Sequence, residues 1–238
     1  MLGALVDIPF SRLVFALLPL LVIGWISHRW GGKKRELSIA TFRMLVQLLL
    51  VGYFLMLVLR VDSPWPPLAI VLFMIVVSSW IAIRTVTEKR KQAYADALLA
   101  VGLGGGVIFV LVILGVIAVD PWYDPQYVIP IAGMIFANAM TAVTLCAERF
   151  EAERRTGANL ESARSVAWNT ALIPQVNSFL AVGLVSLPGM MTGQIIAGAD
   201  PQIAARYQIM VMAMVMSSAG FAVALFLLRR TQREAASV

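Results

Sequence analysis

Long apolar runs separated by short polar intervals make up most of the chain, at about residues 13–28, 37–59, 66–83, 97–119, 127–147, 168–188 and 205–228. A helix rises about 1.5 Å per residue, so crossing the hydrocarbon of a bilayer takes about 20 mostly apolar residues. The runs are close to that length. The pattern predicts an all-α fold, a polytopic membrane helix bundle of about seven transmembrane helices, with residues 1–238 as one transmembrane domain. No basic segment precedes the first run and no small-x-small cleavage site follows it, so it reads as a retained helix rather than a signal peptide.

Composition supports the membrane reading. Of 238 residues, 60% are hydrophobic and 13% charged, against roughly 45–50% apolar in soluble domains; the mean hydropathy is +0.85. The net charge of +6 is no nucleic-acid footprint, because the excess sits in alternate short intervals between apolar runs, as membrane topology demands. Arg29, Lys33, Lys34 and Arg35 follow the first run, and Arg84, Lys89, Arg90 and Lys91 the third. Arg149, Arg154, Arg155 and Arg164 follow the fifth, and Arg229, Arg230 and Arg233 the seventh. The opposite side keeps Arg12, Arg60 and Arg206 and carries Asp7, Asp62, Asp120, Asp124 and Asp200. The positive-inside rule then places the N-terminus outside and the C-terminus in the cytoplasm.

RVDSPWPP (60–67) and DPWYDPQY (120–127) read as tight external turns with interfacial aromatics. HRWGGKKRE (28–36) and the stretch Arg84 to Asp96 read as cytoplasmic links. The longest polar interval, Glu148 to about Ser165, is too short for a soluble catalytic domain. Gly102 and Gly106, and Gly133, Ala137 and Thr141, recur at helical spacing and predict close packing of helix backbones. The single Cys146 excludes an internal disulfide.

Polar residues inside apolar runs carry the candidate chemistry. Arg43 and Gln47 lie four apart on one face of the second helix. Asn138 and Asn177 are midmembrane amides, which either join helices by hydrogen bonds or line an aqueous route. Arg43 has the further reading of snorkelling to the nearby surface or pairing with Glu148 or Glu36. In SLPGMMTGQIIAGADP (186–201), Pro188 and Gly189 are expected to stop the sixth helix, and Gly193 and Gly198 to allow turns. The external link of about 188–204 is thus a re-entrant gate or a simple hairpin, with Met190, Met191, Thr192 and Gln194 as gate candidates. Met190, Met191 and Asp200 are the candidate metal ligands; thioethers suit copper(I), whereas iron prefers oxygen and nitrogen, and methionine also serves as packing filler.

Enzyme chemistry finds no support. Gly193 and Gly198 have phosphate-loop spacing, but Ala199 and Asp200 replace the Lys and Ser/Thr such a loop requires. His28 is the only histidine, and no acidic pair lies inside the runs. A pore or permease is the default; uphill transport would couple either to an ion gradient, for which a buried Asp or Glu relay is expected and none lies well inside a run, or to a separate ATPase subunit holding ATP and magnesium, with no cofactor on this chain. That subunit would push on a cytoplasmic coupling segment, about 148–167, in which Glu148, Glu151, Arg154, Arg155 and Gly157 are the candidates and a short amphipathic helix is expected.

ELSIATFRMLVQLLLVGYFL (36–55), IPIAGMIFANAMTAVTLCAERF (129–150), IPQVNSFLAVGLVSLPGMMTGQIIAGADP (173–201) and ARYQIMVM (205–212) resemble the signatures of the FetB-type iron export permeases. These bacterial ABC-transporter membrane subunits are related to plant aluminium-sensitivity proteins. Matched positions include Arg43, Gln47, Gly52, Gly133, Met134, Asn138, Thr141, Glu148, the block from Pro174 to Pro201, Tyr207 and Gln208. The resemblance implies a multi-pass permease of the bacterial inner membrane, working with a cytoplasmic ABC ATPase as a homodimer and exporting iron to ease oxidative stress. The segment between ERF and IP is shorter than the family's, with Glu151, Ala152, Gly157 and Ala158 as its remnant. That departure leaves open a membrane adaptor or passive channel without ATPase coupling. Another metal or a nucleotide-sugar-like solute is the alternative cargo.

Overall fold

The computed structural model describes residues 8–32, 34–59, 61–86 and 90–236. Asp7, Lys33, Arg60 and Lys89 of the charge pattern lie outside them. The described residues form eight α-helices: α1 (Phe10–Arg29), α2 (Lys34–Val58), α3 (Trp65–Ala82), α4 (Arg90–Val110), α5 (Pro125–Arg155), α6 (Leu160–Ala181), α7 (Gly189–Ile196) and α8 (Pro201–Ala235). A π-helical stretch, Leu111–Ile117, prolongs α4 and ends at left-handed Ala118. The chain divides into two compact units, Met1–Asp62 with Ile196–Gly198, and Ser63–Ile195 with Ala199–Val238. In the first, α1 packs along α2.

Among the described residues, six helices are long and apolar enough to cross a membrane: the bulk of α1, α2 and α3, then α4 with its π-helical extension, α5 and α8. The chain is an all-helical membrane protein. The sixth apolar run departs from the expectation of one continuous helix over 168–188. Helix α6 begins earlier, at Leu160, where the Asn159 side chain caps it by accepting from the Ser162 N–H at 2.8 Å. It ends at Ala181, and Gly183 takes φ 80°, a left-handed turn that breaks the run before its apolar residues are used up. Pro188 and Gly189 therefore do not stop the sixth helix; Gly189 opens α7. Gly193 lies inside α7, and only Gly198, at φ 96°, serves the turn into α8.

The expected short amphipathic helix within 148–167 is absent as a separate element. Helix α5 continues to Arg155 and α6 starts at Leu160, so the segment is the tip of a helical hairpin. Gly157, at φ 85°, makes the turn: its N–H donates to the Arg154 carbonyl at 3.2 Å and the Ala158 N–H to the Glu153 carbonyl at 3.1 Å. This reciprocal pair satisfies the last carbonyls of α5, and the left-handed residue it needs is best supplied by glycine.

Two helices open on the same device. Asp124 precedes Pro125 and accepts from the Gln126 N–H at 2.9 Å; Asp200 precedes Pro201 and accepts from the Gln202 and Ile203 N–H groups at 2.8 and 3.2 Å. An aspartate cap satisfies orphan amides, and proline at the first helical position has no amide to satisfy.

In the second unit, α8 packs against α4, α5 and α6, and α5 also against α3, α4 and α6. Alanine builds these seams: Ala93, Ala97 and Ala100 on α4, Ala139 and Ala142 on α5, Ala163, Ala167 and Ala171 on α6, and Ala219 and Ala222 on α8 are fully buried. Small side chains let backbones approach, which provides dispersion contact where lipid makes apolar bulk indifferent. The closest approach is at Gly104, where an added Cβ would stand 2.7 Å from the Ala222 amide nitrogen. Gly105 lies under the Phe136 ring in the same way. These two glycines, not Gly102 and Gly106, make the tight contacts of the VGLGGG run; Gly106 meets nothing within 4 Å. On α5 likewise, Ala137 and Thr141 are exposed while Ala139, Ala142 and Val143 are buried. Outward faces stay apolar, with Leu72, Phe73, Leu103, Val107 and Phe221 exposed, as contact with lipid requires.

Candidate functional site

Two places in the second unit gather polar chemistry. The first is the pole where α4 begins and α5 and α8 end. Asp96, on the first turns of α4, is fully buried, and its Oδ1 takes ion pairs from Arg229 Nε at 3.3 Å and Arg233 Nη2 at 3.1 Å. Its Oδ2 has no hydrogen-bond partner. Glu151 joins Arg155 on its own helix to Arg230 on α8, at 3.1 and 3.3 Å. Arg154 completes the pole: its Nε pairs with Glu234 at 2.9 Å and its Nη1 donates to the Ala158 carbonyl at 2.6 Å. One side chain thus ties the end of α8 to the α5–α6 turn.

Burial decides which of these pairs matter. Arg230 and Glu151 are each 11% exposed at the side chain, so removing Glu151 would leave the Arg230 charge in a poorly solvated place, a loss of about 3–5 kcal/mol, whereas Glu151 without Arg230 keeps Arg155. The Arg149–Glu153 pair sits on the surface with Arg149 half exposed and contributes little. Of the coupling candidates, Glu151, Arg154, Arg155 and Gly157 come together in this pole and its turn, and Glu148 is exposed on α5 one turn before.

The second place is a cleft where α6, the 182–188 connector, α7 and α8 meet. One cavity of about 450 Å³ is walled by Phe179, Val182, Leu187, Met191, Ile209 and Met212, with Gln208 at its polar spot. An adjoining cavity of about 370 Å³ shares Val182, Pro188 and Met212 and adds Asn177, Ser178 and Ser186. Gln208 is 5% exposed and its Oε1 has no partner. Gln175 on α6 and Gln194 on α7 also hold buried Oε1 atoms without partners. An unpartnered buried carbonyl costs roughly 1–3 kcal/mol.

The gate candidates are divided by this geometry. Asn177 and Met191 line the joined cavities. Met190 packs against the hydrophobic core instead. The Thr192 hydroxyl donates to the Pro188 carbonyl at 3.1 Å across the first turn of α7. Asn138 is spent on its own helix, its Nδ2 donating to the Met134 carbonyl at 2.8 Å. Arg43 and Gln47 are exposed on α2, in the other unit. The Asp200 carboxylate is engaged as the cap of α8. Among the described residues, no three of His, Cys, Asp and Glu stand close enough to hold a metal ion.

The sequence reading does not single out Asp96 or Gln175 as site residues, takes Met212 only as one of several further thioethers, and gives Gln208 no role. Asp96 lies one residue before the fourth apolar run and was read as part of a loop; its burial comes from α8 packing across it. Gln175 and Gln208 were findable as amides within apolar helices, on the same grounds as Asn177.

The family model described as Uncharacterised protein family (UPF0014) matches residues 10–233. The Probable iron export permease protein FetB of Escherichia coli is 36% identical over 234 residues, covering 90% of this chain and 87% of that protein. The UPF0014 membrane protein slr1647 of Synechocystis is 34% identical, covering 79% of each chain. Protein ALUMINUM SENSITIVE 3 of Arabidopsis thaliana is 32% identical, covering 77% of this chain and 71% of its own length. No solved structure matches. The match of the model from α1 to the last turns of α8, together with these relatives, makes the chain a member of the UPF0014 membrane protein family.

Proposed function

We propose that the chain is the permease subunit of an ATP-driven exporter, with iron as its cargo and metal homeostasis and oxidative-stress resistance as its role. The observation that carries the reading is the 36% identity, over 90% of the chain, to a protein named as a probable iron export permease. Export needs energy, and the chain has no phosphate loop of its own, so ATP and magnesium belong to a cytoplasmic ABC ATPase, two copies of which would serve a permease homodimer. The N-terminus lies outside and the C-terminus in the cytoplasm, on the positive-inside rule, which makes the charged pole cytoplasmic. The α5–α6 turn, with Arg155 exposed at the end of α5 and Glu148 exposed earlier on the same helix, is then the coupling element. Arg154 ties this turn to α8, so a push on the turn is carried into a wall of the cleft. Solute passage is assigned to that cleft, through Asn177, Met191 and Gln208.

The test is efflux. The chain is co-purified with its ATPase into iron-loaded vesicles, and iron release with ATP is compared with release from a complex whose ATPase is catalytically dead. ATP-dependent release supports the assignment; equal release from both sinks it. A stable ATPase complex at the same time excludes the adaptor reading.

A further inference from the structure

The α4–α8 seam ends at the charged pole, on a boundary that both helices share. The apolar run of α4 begins at residue 97 and that of α8 ends at 228, so Asp96 and Arg229, joined at 3.3 Å, stand at the level where hydrocarbon gives way to water. Arg233 reaches the same carboxylate oxygen from one turn further along α8. Two guanidinium groups therefore share a single negative charge, and the seam carries a positive excess at that level. Each guanidinium is held through one nitrogen, each side chain is more than a third exposed, and among the described residues neither meets a second acceptor. The remaining nitrogens of two planar forks are left to donate, which suits the oxygens of a phosphate. The buried carboxylate fixes where the forks stand.

On the membrane side of the arginines the seam is apolar. Helix α5 covers one flank of it, where the Phe136 ring lies against Gly105 of α4 and Glu151 pairs with Arg230 of α8. On the open flank, Leu99 and Leu103, one and two turns beyond Asp96 on α4, and Phe221, two turns before Arg229 on α8, are exposed. A basic head at the hydrocarbon boundary with apolar side chains behind it matches the division of an anionic phospholipid into phosphate and acyl chain.

We infer that the α4–α8 seam binds an anionic phospholipid from the leaflet on the charged side, its phosphate held between Arg229 and Arg233 and an acyl chain laid along Leu99, Leu103 and Phe221. Basic pockets between membrane helices on the cytoplasmic side are recurrent headgroup sites. Such a lipid site goes beyond the transport assignment and needs neither the cargo nor the ATPase.

The full chain in a neutral detergent is titrated with phosphatidylglycerol and with zwitterionic phosphatidylcholine of the same acyl chains, and bound lipid is counted by native mass spectrometry. The wild type is expected to favour phosphatidylglycerol by about five- to thirtyfold, the worth of one to two basic residues beside an anionic headgroup. Removing the arginines alone would strand Asp96, so the variant is Asp96→Asn with Arg229→Gln and Arg233→Gln, which leaves no charge at the seam and makes the net charge one unit less positive. Arg164→Gln, at an exposed position near the start of α6, makes the same net change elsewhere on the charged side. The triple variant should bind both lipids alike, to within about twofold, while Arg164→Gln keeps the wild-type preference. Arg229→Lys with Arg233→Lys keeps Asp96 neutralised but loses the forks; it should lower the preference severalfold, and it decides the matter if the triple variant does not fold. Equal binding of the two lipids by the wild type would overturn the inference. A loss in Arg164→Gln as large as in the triple variant would overturn it too, because diffuse charge would then account for the preference. Displacement of phosphatidylglycerol by inorganic phosphate would mark a free-anion site and overturn the lipid as occupant.

Discussion

Asp96 on α4 and Arg233 on α8 meet at 3.1 Å although 137 positions separate them in sequence, and Arg229 reaches the same oxygen at 3.3 Å. The carboxylate is fully buried while both guanidinium groups are more than a third exposed, so the partners are not equivalent. Either arginine can be solvated if released; the carboxylate cannot.

Removing both arginines, Arg229→Ala with Arg233→Ala, strands the buried carboxylate and is therefore expected to destabilise the chain by about 3–5 kcal/mol, whereas Asp96→Ala, which frees two solvated arginines, should cost less. Arg229→Ala alone leaves Arg233 in place and should cost under half as much as the double variant. Urea or thermal unfolding of the detergent-solubilised variants orders them; equal losses would mean that the two arginines do not share the load.

Gly104 allows the α4 backbone to approach Ala222, whereas Gly106 faces open space. Gly104→Ala should lower stability by about 1–3 kcal/mol, the usual cost of overpacking. Gly106→Ala should be neutral or slightly stabilising, since alanine is the better helix former. A thermal-shift comparison in which Gly106→Ala is the more damaging variant would contradict the packing described.

Much of this architecture can be read in the sequence, and the misses share one physical cause. Apolar length finds α1 to α5 and α8, because burial in lipid depends on composition alone. It fails at 168–188, where the Gly183 turn depends on local backbone geometry and the apolar residues beyond it pack in a connector and a short helix. Helical spacing of glycines points to the right region of α4 but the wrong face, since the face that packs is chosen by α8. That Glu151, Arg154, Arg155 and Gly157 gather at one pole is legible because charge has few places to go; Asp96 is hidden because its burial is made by a helix more than a hundred residues away.

At the α5–α6 turn, Gly157 holds φ 85°, where a side chain costs about 1 kcal/mol or more. Gly157→Ala should destabilise the hairpin by about that amount without abolishing the fold. Arg154→Ala, which cuts the tie from the turn to α8, should preserve ATPase association yet lower ATP-driven efflux severalfold. Co-purification measured beside efflux separates the two effects; full efflux with Arg154→Ala would remove the tie from the coupling route.

The Asp200 carboxylate accepts from two amides at the start of α8, which accounts for its position without a metal. Asp200→Asn retains an acceptor and should keep stability, whereas Asp200→Ala should lose about 0.5–2 kcal/mol. If instead Asp200→Asn alone abolished metal stimulation of the partner ATPase, the residue would be a ligand and not only a cap.

The most direct test of the account is ATP-driven iron release from vesicles holding the chain and its ATPase, measured against the ATPase-dead complex. Release that requires hydrolysis, and that falls when Arg154 is replaced by alanine, is the predicted result. Identical iron release from the active and the ATPase-dead complex would contradict it.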